Sequence, residues 1–398
     1  MPSPIADLEL RHLLAQISDR EGLESHLQQS GRSLYCGFDP TAPSLHIGSL
    51  VPLLTLRRFQ LAGHSPIALV GGATGLIGDP SGRVDERGLN DVDVVRGWGE
   101  RLSQQVSRFI DLDGTYAARV VDNLEWTSPL DALGFLRDIG KHFSVNAMMQ
   151  RDSVKNRLGR EGEGISYTEF SYMLLQAYDF LELSRRYQCT IQVGGSDQWG
   201  NMISGIDLIR RVDGQQAFVL TVPLITRSDG LKFGKTTDGA IWLDPDMTSA
   251  YRFYQFWLNS ADEDVVPFLG YFTFLDSSVI ADAATELRDR PGERAAQRLL
   301  AREVTLLAHG QRALSSAQRI TAALFGGAVA DLKHEDLQQL QLDGMDSTSV
   351  ENEEELLTAL VRAGLAKSRG AGRKLIDGKG VQINGELVEL PSKALRLE

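Results

Sequence analysis

The chain has few cysteines and no long apolar run, and both absences exclude whole classes of protein. Only two of its 398 residues are cysteine, so neither a disulfide framework nor a zinc site is expected. No apolar stretch approaches the ~20 residues that a transmembrane helix needs. Five acidic residues in the first 30 positions argue against a secretory signal and a mitochondrial transit peptide. We therefore expect a cytoplasmic protein that does not associate with membranes.

An excess of positive charge is also missing. The 41 basic residues are outnumbered by 53 acidic ones, giving a net charge of −12, so the whole surface is not expected to bind nucleic acid. The exception is local, because six basic residues and one acid, Asp377, lie between Val361 and Gly380. A chain of 398 residues with 42% apolar content is typical of a globular protein of two or three domains.

The first two-thirds of the sequence predicts a parallel α/β sheet. Apolar runs that end at Gly, Asp or Asn alternate there with amphipathic stretches. Ligand sites in such sheets lie at the carboxyl ends of the strands, so the residues after each run are site candidates. The predicted strands are Leu34–Phe38, Pro66–Val70, Ala118–Val121 and Thr190–Val193.

The pattern changes along the rest of the chain. After Trp242 the strands fade, and Tyr251–Leu258 and Ala295–Leu324 have helical periodicity. A polar, acidic stretch that begins at Gly326-Gly327 is typical of a linker. The predicted divisions are residues 1–225, with a helical insertion at about 125–160, then a helical domain at 226–325, a linker at 326–350 and a small domain at 351–398.

Two polar faces are candidate ligand sites. Tyr35, Gly37 and Asp39 share one face of the first strand, where the glycine leaves room for a ligand; a plain polar edge strand is the alternative. In the predicted helix Ser166–Leu183, a row of Tyr, Gln and Asp at i, i+4 and i+7 differs from the Lys and Glu of most solvated faces, although such a row also suits water. That row is Tyr172, Gln176 and Asp179, and the apolar stripe expected in the core is Leu174, Ala177 and Leu181.

The run Gln192–Asn201 predicts a strand that passes directly into a helix. Gly194-Gly195 permits close approach of a ligand to the backbone. Ser196 is the expected N-cap, and Asp197 in the first helical turn is placed to accept hydrogen bonds from a ribose.

Three further segments favour anions or ammonium groups. His46-Ile-Gly-Ser49 stands where a helix is predicted to begin, and Lys232–Thr236 is a glycine-hinged loop with two lysines. The glycine-rich segment 71–83 contains Asp79, which suits an ammonium group, although a surface loop is the alternative interpretation. Arg83 and Arg87 suit phosphates.

Taken together, these residues resemble the class I aminoacyl-tRNA synthetases, and specifically the bacterial-type tyrosyl-tRNA synthetases. His46–Ser49 resembles the family's HIGH signature and Lys232–Thr236 its KMSKS loop, with Ser49 and Thr236 replacing the last residue of each signature. The chain after Asn352 is similar to the S4-type RNA-binding module. The resemblance implies an α/β, Rossmann-like catalytic domain, an α-helical anticodon-binding-type domain and an α+β S4-like domain.

The resemblance also implies an activity. It is the activation of L-tyrosine with ATP, accompanied by Mg²⁺, to tyrosyl-adenylate and pyrophosphate, followed by transfer to the 3′-terminal adenosine of tRNA(Tyr) by a homodimer. The residues implied are Tyr35, Asp79, Tyr172, Gln176, Asp179, Gln192 and Gln198 for tyrosine; Cys36, Gly37, Asp39, Gly48, Ser49, Arg83, Arg87, Gly194, Asp197 and Thr236 for ATP; Thr41, His46, Lys232 and Lys235 for catalysis; and Arg362, Lys367, Arg369, Arg373 and Lys374 for tRNA.

Two other functions compete with this interpretation. A tryptophanyl-type synthetase shares both signatures, but the Tyr35 and Asp179 pair and the S4-like tail favour the tyrosyl type. A noncatalytic RNA-binding or regulatory protein on a synthetase scaffold is the second alternative. The retention of His46, Lys232 and Lys235 favours a catalyst.

Overall fold

A computed structural model of the chain shows two compact units. The first comprises residues 1–243 and 261–296, and the second comprises residues 244–260 and 297–398. The residues that the structure describes are 3–79, 90–151, 154–155, 165–226, 228, 233–236, 239–327, 329–390 and 394–395.

These units differ from the predicted boundary at residue 225. The segment 261–296 belongs to the first unit because buried arginines hold it there. Arg58 donates to the carbonyl oxygen of Thr273 at 2.7 Å, and Arg11 donates to that of Leu275 at 2.7 Å. Since these bonds join positions more than 200 residues apart in sequence, no local pattern signals them.

A six-stranded sheet organises the first unit in the described part of the chain. The strand order is β1-β6-β5-β2-β3-β4, with β1 antiparallel and the others parallel. The four predicted strands are confirmed as β2, β3, β4 and β5, whereas β1 and β6 were not predicted from the sequence. The strands are β1 (Gln16–Ile17), β2 (Ser33–Phe38), β3 (Ser65–Val70), β4 (Arg119–Asp122), β5 (Cys189–Gly195) and β6 (Phe218–Val222).

The register of the parallel strands places the site. Tyr35 of β2 lies opposite Ile67 of β3 and Gln192 of β5, so the candidate residues of two strands are neighbours. Parallel strands end at one edge of the sheet, where Asp39 and Asn123 follow β2 and β4.

Helices pack against this sheet. The apolar stripe predicted for the core is confirmed, since Leu174, Ala177 and Leu181 are each at most 6% exposed. Burial of one such leucine stabilises the fold by about 1.5–3 kcal/mol. The helices of the first unit are α1 (Pro4–Leu10), α2 (Arg20–Leu27), α3 (Leu50–Leu61), α4 (Thr74–Ile77), α5 (Val92–Val106), α6 (Leu124–Thr127), α7 (Ala132–Gly134), α8 (Val145–Met149), α9 (Tyr167–Tyr187), α10 (Trp199–Asp213), α12 (Asp262–Phe272) and α13 (Ser277–Asp289). The second unit contains α11 (Ala250–Leu258) and nearly all of α14 (Ala295–Leu324).

The second unit contains a helix inside the stretch predicted as a linker. Helix α15 (His334–Leu342) is anchored by Asp336, which is fully buried. The carboxylate of Asp336 accepts hydrogen bonds from Arg319 at 2.6 and 2.8 Å and also from Ser316. The acidic composition that suggested a linker instead supplies a buried ion pair, so the linker prediction at 326–350 was wrong for this helix.

The C-terminal residues form a small hydrophobic core of their own. Leu357, Leu360, Ile376 and Val388 are buried in it. The helices are α16 (Leu356–Arg362) and α17 (Arg369–Asp377), and the short strands are β9 (Glu354–Glu355), β10 (Gln382–Ile383), β11 (Glu386–Leu387) and β12 (Ala394–Leu395). Strands β10 and β11 pair as a hairpin, as do β7 (Lys235–Thr236) and β8 (Gly239–Ala240) of the first unit.

Candidate active site

A cavity of about 870 Å³ lies at the carboxyl edge of the sheet. It gathers candidate residues from β2, β5, α9 and the segments that follow them. The predicted site residues that line it are Tyr35, Cys36, Gly37, Asp39, Thr41, His46, Gly48, Ser49, Asp79, Tyr172, Gln176, Asp179, Gln192, Gly194, Asp197 and Gln198.

The remaining predicted site residues fall into two groups. Arg83, Arg87 and Lys232 lie outside the described residues, as do the side chains of Lys235 and Thr236. The five residues predicted to bind tRNA belong to the second unit.

Tyr35 reaches the cavity from β2 and is 1% exposed. Its ring packs against Phe180 with the centroids 5.2 Å apart. No described residue forms a hydrogen bond with its hydroxyl group. Burial holds the pKa of Tyr35 well above its usual value, so the hydroxyl keeps its proton. Buried hydroxyl groups are nearly always paired, and this one is therefore suited to a ligand atom.

Asp179 is 2% exposed and is held by two donors. Trp126 Nε1 donates to its Oδ1 at 2.8 Å, and Asn123 Nδ2 donates to its Oδ2 at 2.9 Å. Burial raises the pKa of Asp179 to about 7, although both hydrogen bonds favour the carboxylate. Each oxygen retains capacity to accept another hydrogen bond from a ligand.

A hydrogen-bonded network extends from this carboxylate to Tyr172. Asn123 Nδ2 also donates to Thr74 Oγ1 at 3.1 Å, and that hydroxyl donates to Asp39 Oδ1 at 2.7 Å. The hydroxyl of Tyr172 donates to Asp39 Oδ2 at 2.6 Å. The backbone N–H of Ala73 holds Asn123 Oδ1 at 2.7 Å. The network fixes the side chains along one wall of the cavity.

Asn123, Trp126 and Thr74 were not identified from the sequence. One signal was available for the first of them. Asn123 comes directly after strand β4, the position where ligand-binding residues of parallel sheets are found. Trp126 and Thr74 make their contacts with residues 35 to 53 positions away, and no sequence motif marks them.

Amides and acids line another part of the cavity. Gln198 Nε2 donates to Asp79 Oδ2 at 2.6 Å, and Asn201 Nδ2 donates to Gln176 Oε1 at 3.1 Å. Burial raises the pKa of Asp197, and the nearby Asp79 carboxylate adds to the effect. The concentration of acceptors suits a cationic or hydroxyl-bearing ligand.

The helix after β5 begins later than predicted. Ser196 is the first residue of a 3₁₀ turn over Ser196–Gln198, and the N-cap of that turn is Gly195. Helix α10 starts at Trp199, so the prediction of Ser196 as the N-cap was wrong. Asp197 lies in the turn and still lines the cavity.

His46 caps the turn that leads into α3, as its position before a predicted helix indicated. Its Nδ1 accepts from the backbone N–H of Gly48 at 2.9 Å, so the neutral ring carries its proton on Nε2. A Cβ atom at position 48 would lie 2.6 Å from His46 Cε1, which explains the glycine. The imidazole and the helix start together form an anion-favouring corner.

The two signature segments lie against each other. Ile47 donates its N–H to the carbonyl oxygen of Ile241 at 3.0 Å. Gly234 has a φ of +80°, and a Cβ there would be 2.9 Å from Ile47 Cγ1. The Phe233 ring packs 5.1 and 5.0 Å from the rings of Phe268 and Phe272. The backbone next to Lys235 therefore lies beside the segment that begins at His46.

The five basic residues predicted to bind tRNA divide into two groups. Arg362 pairs with Glu354, and Arg369 pairs with Glu355. The others are exposed, and no described residue forms an ion pair with them. These others are Lys367, Arg373 and Lys374.

Comparisons with known proteins agree with this arrangement. The family described as tRNA synthetases class I (W and Y) matches residues 28–326, and the S4 domain matches residues 356–398. A tyrosine–tRNA ligase of Aliivibrio salmonicida is 54% identical over 386 residues, covering 96% of this chain and 91% of that one. The tyrosine–tRNA ligase of Dechloromonas aromatica is 53% identical, covering 98% and 92% of the two chains.

Solved structures show the same fold. A C-terminally truncated mitochondrial tyrosyl-tRNA synthetase of Aspergillus nidulans superposes with a TM-score of 0.74 at 31% identity, over 82% of this chain and 95% of that one. A tryptophanyl-tRNA synthetase of Encephalitozoon cuniculi, at 13% identity and a TM-score of 0.58, shares the fold alone, over 84% and 89% of the two chains. The chain belongs to the class I tRNA synthetases of the tryptophan and tyrosine family and carries a C-terminal S4 domain.

Proposed function

We propose that this protein is a tyrosine–tRNA ligase. It activates L-tyrosine with ATP and transfers the tyrosyl group to the 3′-terminal adenosine of tRNA(Tyr). One observation carries the choice of amino acid: the buried Tyr35 hydroxyl, which no described residue pairs, and the Asp179 carboxylate, fixed by two donors, both line the cavity. A phenol hydroxyl accepts from the first and donates to the second.

The remaining cavity residues suit the other parts of tyrosyl-adenylate. The carboxylate of Asp79 and the polar groups of Tyr172 and Gln176 suit the α-ammonium group, and Gln192 and Gln198 suit the carboxylate end. The residues assigned to the nucleoside and its phosphates are Cys36, Gly37, Asp39, Gly48, Ser49, Gly194, Asp197, Arg83, Arg87 and Thr236.

The chemistry requires positioning and charge stabilisation. The tyrosine carboxylate attacks the α-phosphorus of magnesium-bound ATP, the new P–O bond forms, and pyrophosphate leaves. Because the nucleophile is already an anion, neither a general base nor a covalent enzyme intermediate is needed. Thr41 and His46, with Lys232 and Lys235, stabilise the charge that develops on pyrophosphate. A terminal ribose hydroxyl of the tRNA then displaces AMP.

ATP–pyrophosphate exchange with single amino acids tests this function. We expect exchange with tyrosine and little with phenylalanine or tryptophan. Exchange that depends on tryptophan would favour the tryptophanyl alternative. An absence of exchange with all three amino acids, in a protein that still binds tRNA, would favour the noncatalytic RNA-binding alternative.

The C-terminal region and the helical segment at 226–325 are proposed to bind tRNA, the latter at the anticodon. Arg362, Lys367, Arg369, Arg373 and Lys374 contact phosphates, and the two with acidic partners contribute less. Deletion of the residues after Val350 should abolish tRNA charging at moderate salt and leave tyrosine-dependent exchange intact. Arg373→Ala should reduce the salt dependence of tRNA binding by about one unit of slope. Intact charging by the truncated chain would remove this role.

We also propose that the enzyme is a cytoplasmic homodimer that associates through the insertion at about 130–158. Among the described residues, Leu133, Leu136, Val145 and Met149 are 47–79% exposed there, an unusual density of exposed apolar side chains. Across all the residues that the structure describes, no helix is both long enough and apolar enough to cross a membrane. Static light scattering should give twice the chain mass, and Leu133→Arg should lower it. A monomeric wild-type protein would contradict the dimer.

A further inference from the structure

A glutamine occupies a core position of helix α5. The other buried residues of this helix are Val95, Gly99, Leu102 and Val106, all without polar side-chain atoms. Gln105 lies on the same face and is 4% exposed. An amide at such a position is costly to bury unless its polar atoms are used.

The amide oxygen of Gln105 binds the segment that leads to His46. Gln105 Oε1 accepts from the backbone N–H of Leu45 at 2.9 Å. The hydroxyl of Ser44 lies 3.2 Å from the same oxygen and 2.7 Å from the carbonyl oxygen of Leu45, and its single proton is shared between these two acceptors. Both residues are buried, so water does not substitute for the amide oxygen at the Leu45 N–H.

In this segment, two residues of the cavity flank a buried pair, Ser44 and Leu45. Thr41 and His46 are exposed at the cavity wall, whereas Ser44 and Leu45 between them are buried. Neither strand nor helix stabilises residues 39–45, and two of them are prolines without an N–H. The hydrogen bonds that hold the buried pair therefore determine where Thr41 and His46 lie.

The buried pair is held from two sides. Gln105 takes the N–H of Leu45, and the carbonyl oxygen of Leu45 accepts from the N–H of Leu243 at 2.8 Å. Leu243 follows the segment that carries Lys235. Residue 45 thus joins α5 to both signature segments, with His46 as the next residue.

We propose that Gln105 is a positioning residue for adenylate formation, acting through Thr41 and His46. This proposal rests on the proposed function of these two residues at the departing pyrophosphate. Without the amide oxygen, the buried Leu45 N–H has no acceptor, and the segment shifts to find one. A displacement of about 1 Å at a reacting group costs roughly 100-fold in rate.

Single-turnover formation of tyrosyl-adenylate by the full chain tests the proposal. Gln105→Leu keeps the side-chain volume and removes the acceptor, and it should slow the rate constant roughly 10- to 100-fold. The KM for tyrosine should change less than about twofold, because Gln105 binds the segment at Ser44 and Leu45, whereas Tyr172 of the tyrosine set binds it at Asp39. The matched control is Gln104→Leu, an exposed glutamine one position earlier on the same helix, which should react at the wild-type rate.

Two further variants separate positioning from general destabilisation. Gln105→Glu retains an acceptor oxygen and should be faster than Gln105→Leu. In a Thr41→Ala, His46→Ala background, Gln105→Leu should cost less than about twofold, since its effect passes through those side chains. Rate constants are normalised to the active fraction from the burst amplitude, so partial unfolding does not mimic the result.

Two outcomes would overturn the proposal. They are a wild-type rate for Gln105→Leu, and an undiminished cost in the doubly substituted background. Either outcome, with tyrosine-dependent exchange intact in the wild-type protein, leaves the proposed function standing. An inactive wild-type protein would refute the function itself.

Discussion

The two ends of the cavity are built differently. The phenol end, which comprises Tyr35, Asp179, Asn123 and Trp126, is buried, and each side chain except the Tyr35 hydroxyl is fixed by described hydrogen bonds. The phosphate end, which comprises Thr41 and His46, is exposed at a loop and a helix start. In the proposed function, the buried end selects the amino acid and the exposed end assists formation of the adenylate.

Under the proposed function, burial is the reason why the phenol end selects an amino acid with a hydroxyl group. A ligand that lacks a hydroxyl leaves both Tyr35 and Asp179 without a partner, and each unsatisfied buried group costs about 1–3 kcal/mol. At the phosphate end, the exposed side chains of Thr41 and His46 suit the negative charge that develops on pyrophosphate as it leaves the tyrosyl group.

The largest effect is expected from Asp179→Ala. The substitution removes the acceptor for the phenol hydroxyl and leaves the Asn123 and Trp126 donors unpaired in a buried site. We expect loss of tyrosine-dependent ATP–pyrophosphate exchange, or of its selectivity over phenylalanine. Asp113→Ala, at an exposed position, is the control. An unchanged ratio of tyrosine to phenylalanine activity would remove Asp179 from the site.

His46→Ala attacks the phosphate end and should give the opposite kinetic pattern. Loss of one preorganised donor to a developing charge lowers kcat by roughly 100-fold, with the KM for tyrosine changed less than about twofold. Steady-state exchange kinetics measure both, with His334→Ala as an exposed control. A KM effect as large as the kcat effect would erase the distinction between the two ends.

Trp126→Phe sharpens the comparison within the phenol end. It keeps most of the ring and removes one hydrogen bond that holds down the pKa of Asp179, so that pKa should rise. We expect kcat/KM for tyrosine to fall roughly 10- to 100-fold near neutral pH and to recover partly in alkali. Trp98→Phe is the matched control. A uniform loss at all pH values would show that the indole acts only by packing.

The smallest effect is the pH dependence of the wild-type protein. Because burial raises the pKa of Asp179 to about 7, the carboxyl gains its proton as the pH falls through that value and stops accepting the phenol proton. Between about pH 8 and about pH 6, kcat/KM for tyrosine should fall roughly tenfold. Activation of phenylalanine, which has no hydroxyl, should not follow this profile. A flat tyrosine profile would contradict the role of the ionised form.

The sequence was most informative where a local rule applies. Strand parity predicted Tyr35 and Asp39 as candidate ligand residues, and helical spacing predicted the row that ends at Asp179. Each of these follows from neighbours within one element.

What the sequence did not show depends on distant partners. Trp126 and Gln105 act on residues 53 and 60 positions away, and neither lies in a motif. The buried pairing of Asp336 with Arg319 had the same cause, since an acid in a polar stretch resembles a solvated one until its partner is known. Local patterns therefore identified residues that line the cavity better than the residues that hold them.

Equilibrium binding of tyrosine without ATP tests the separation of the two ends most directly. Isothermal titration calorimetry on the wild-type protein, Asp179→Ala and His46→Ala gives the result in one experiment. We predict that His46→Ala binds tyrosine within about twofold of wild type, since only the transition state loses its contact, and that Asp179→Ala shows no measurable binding. Equal losses in both variants, or retained binding in Asp179→Ala, would contradict this prediction.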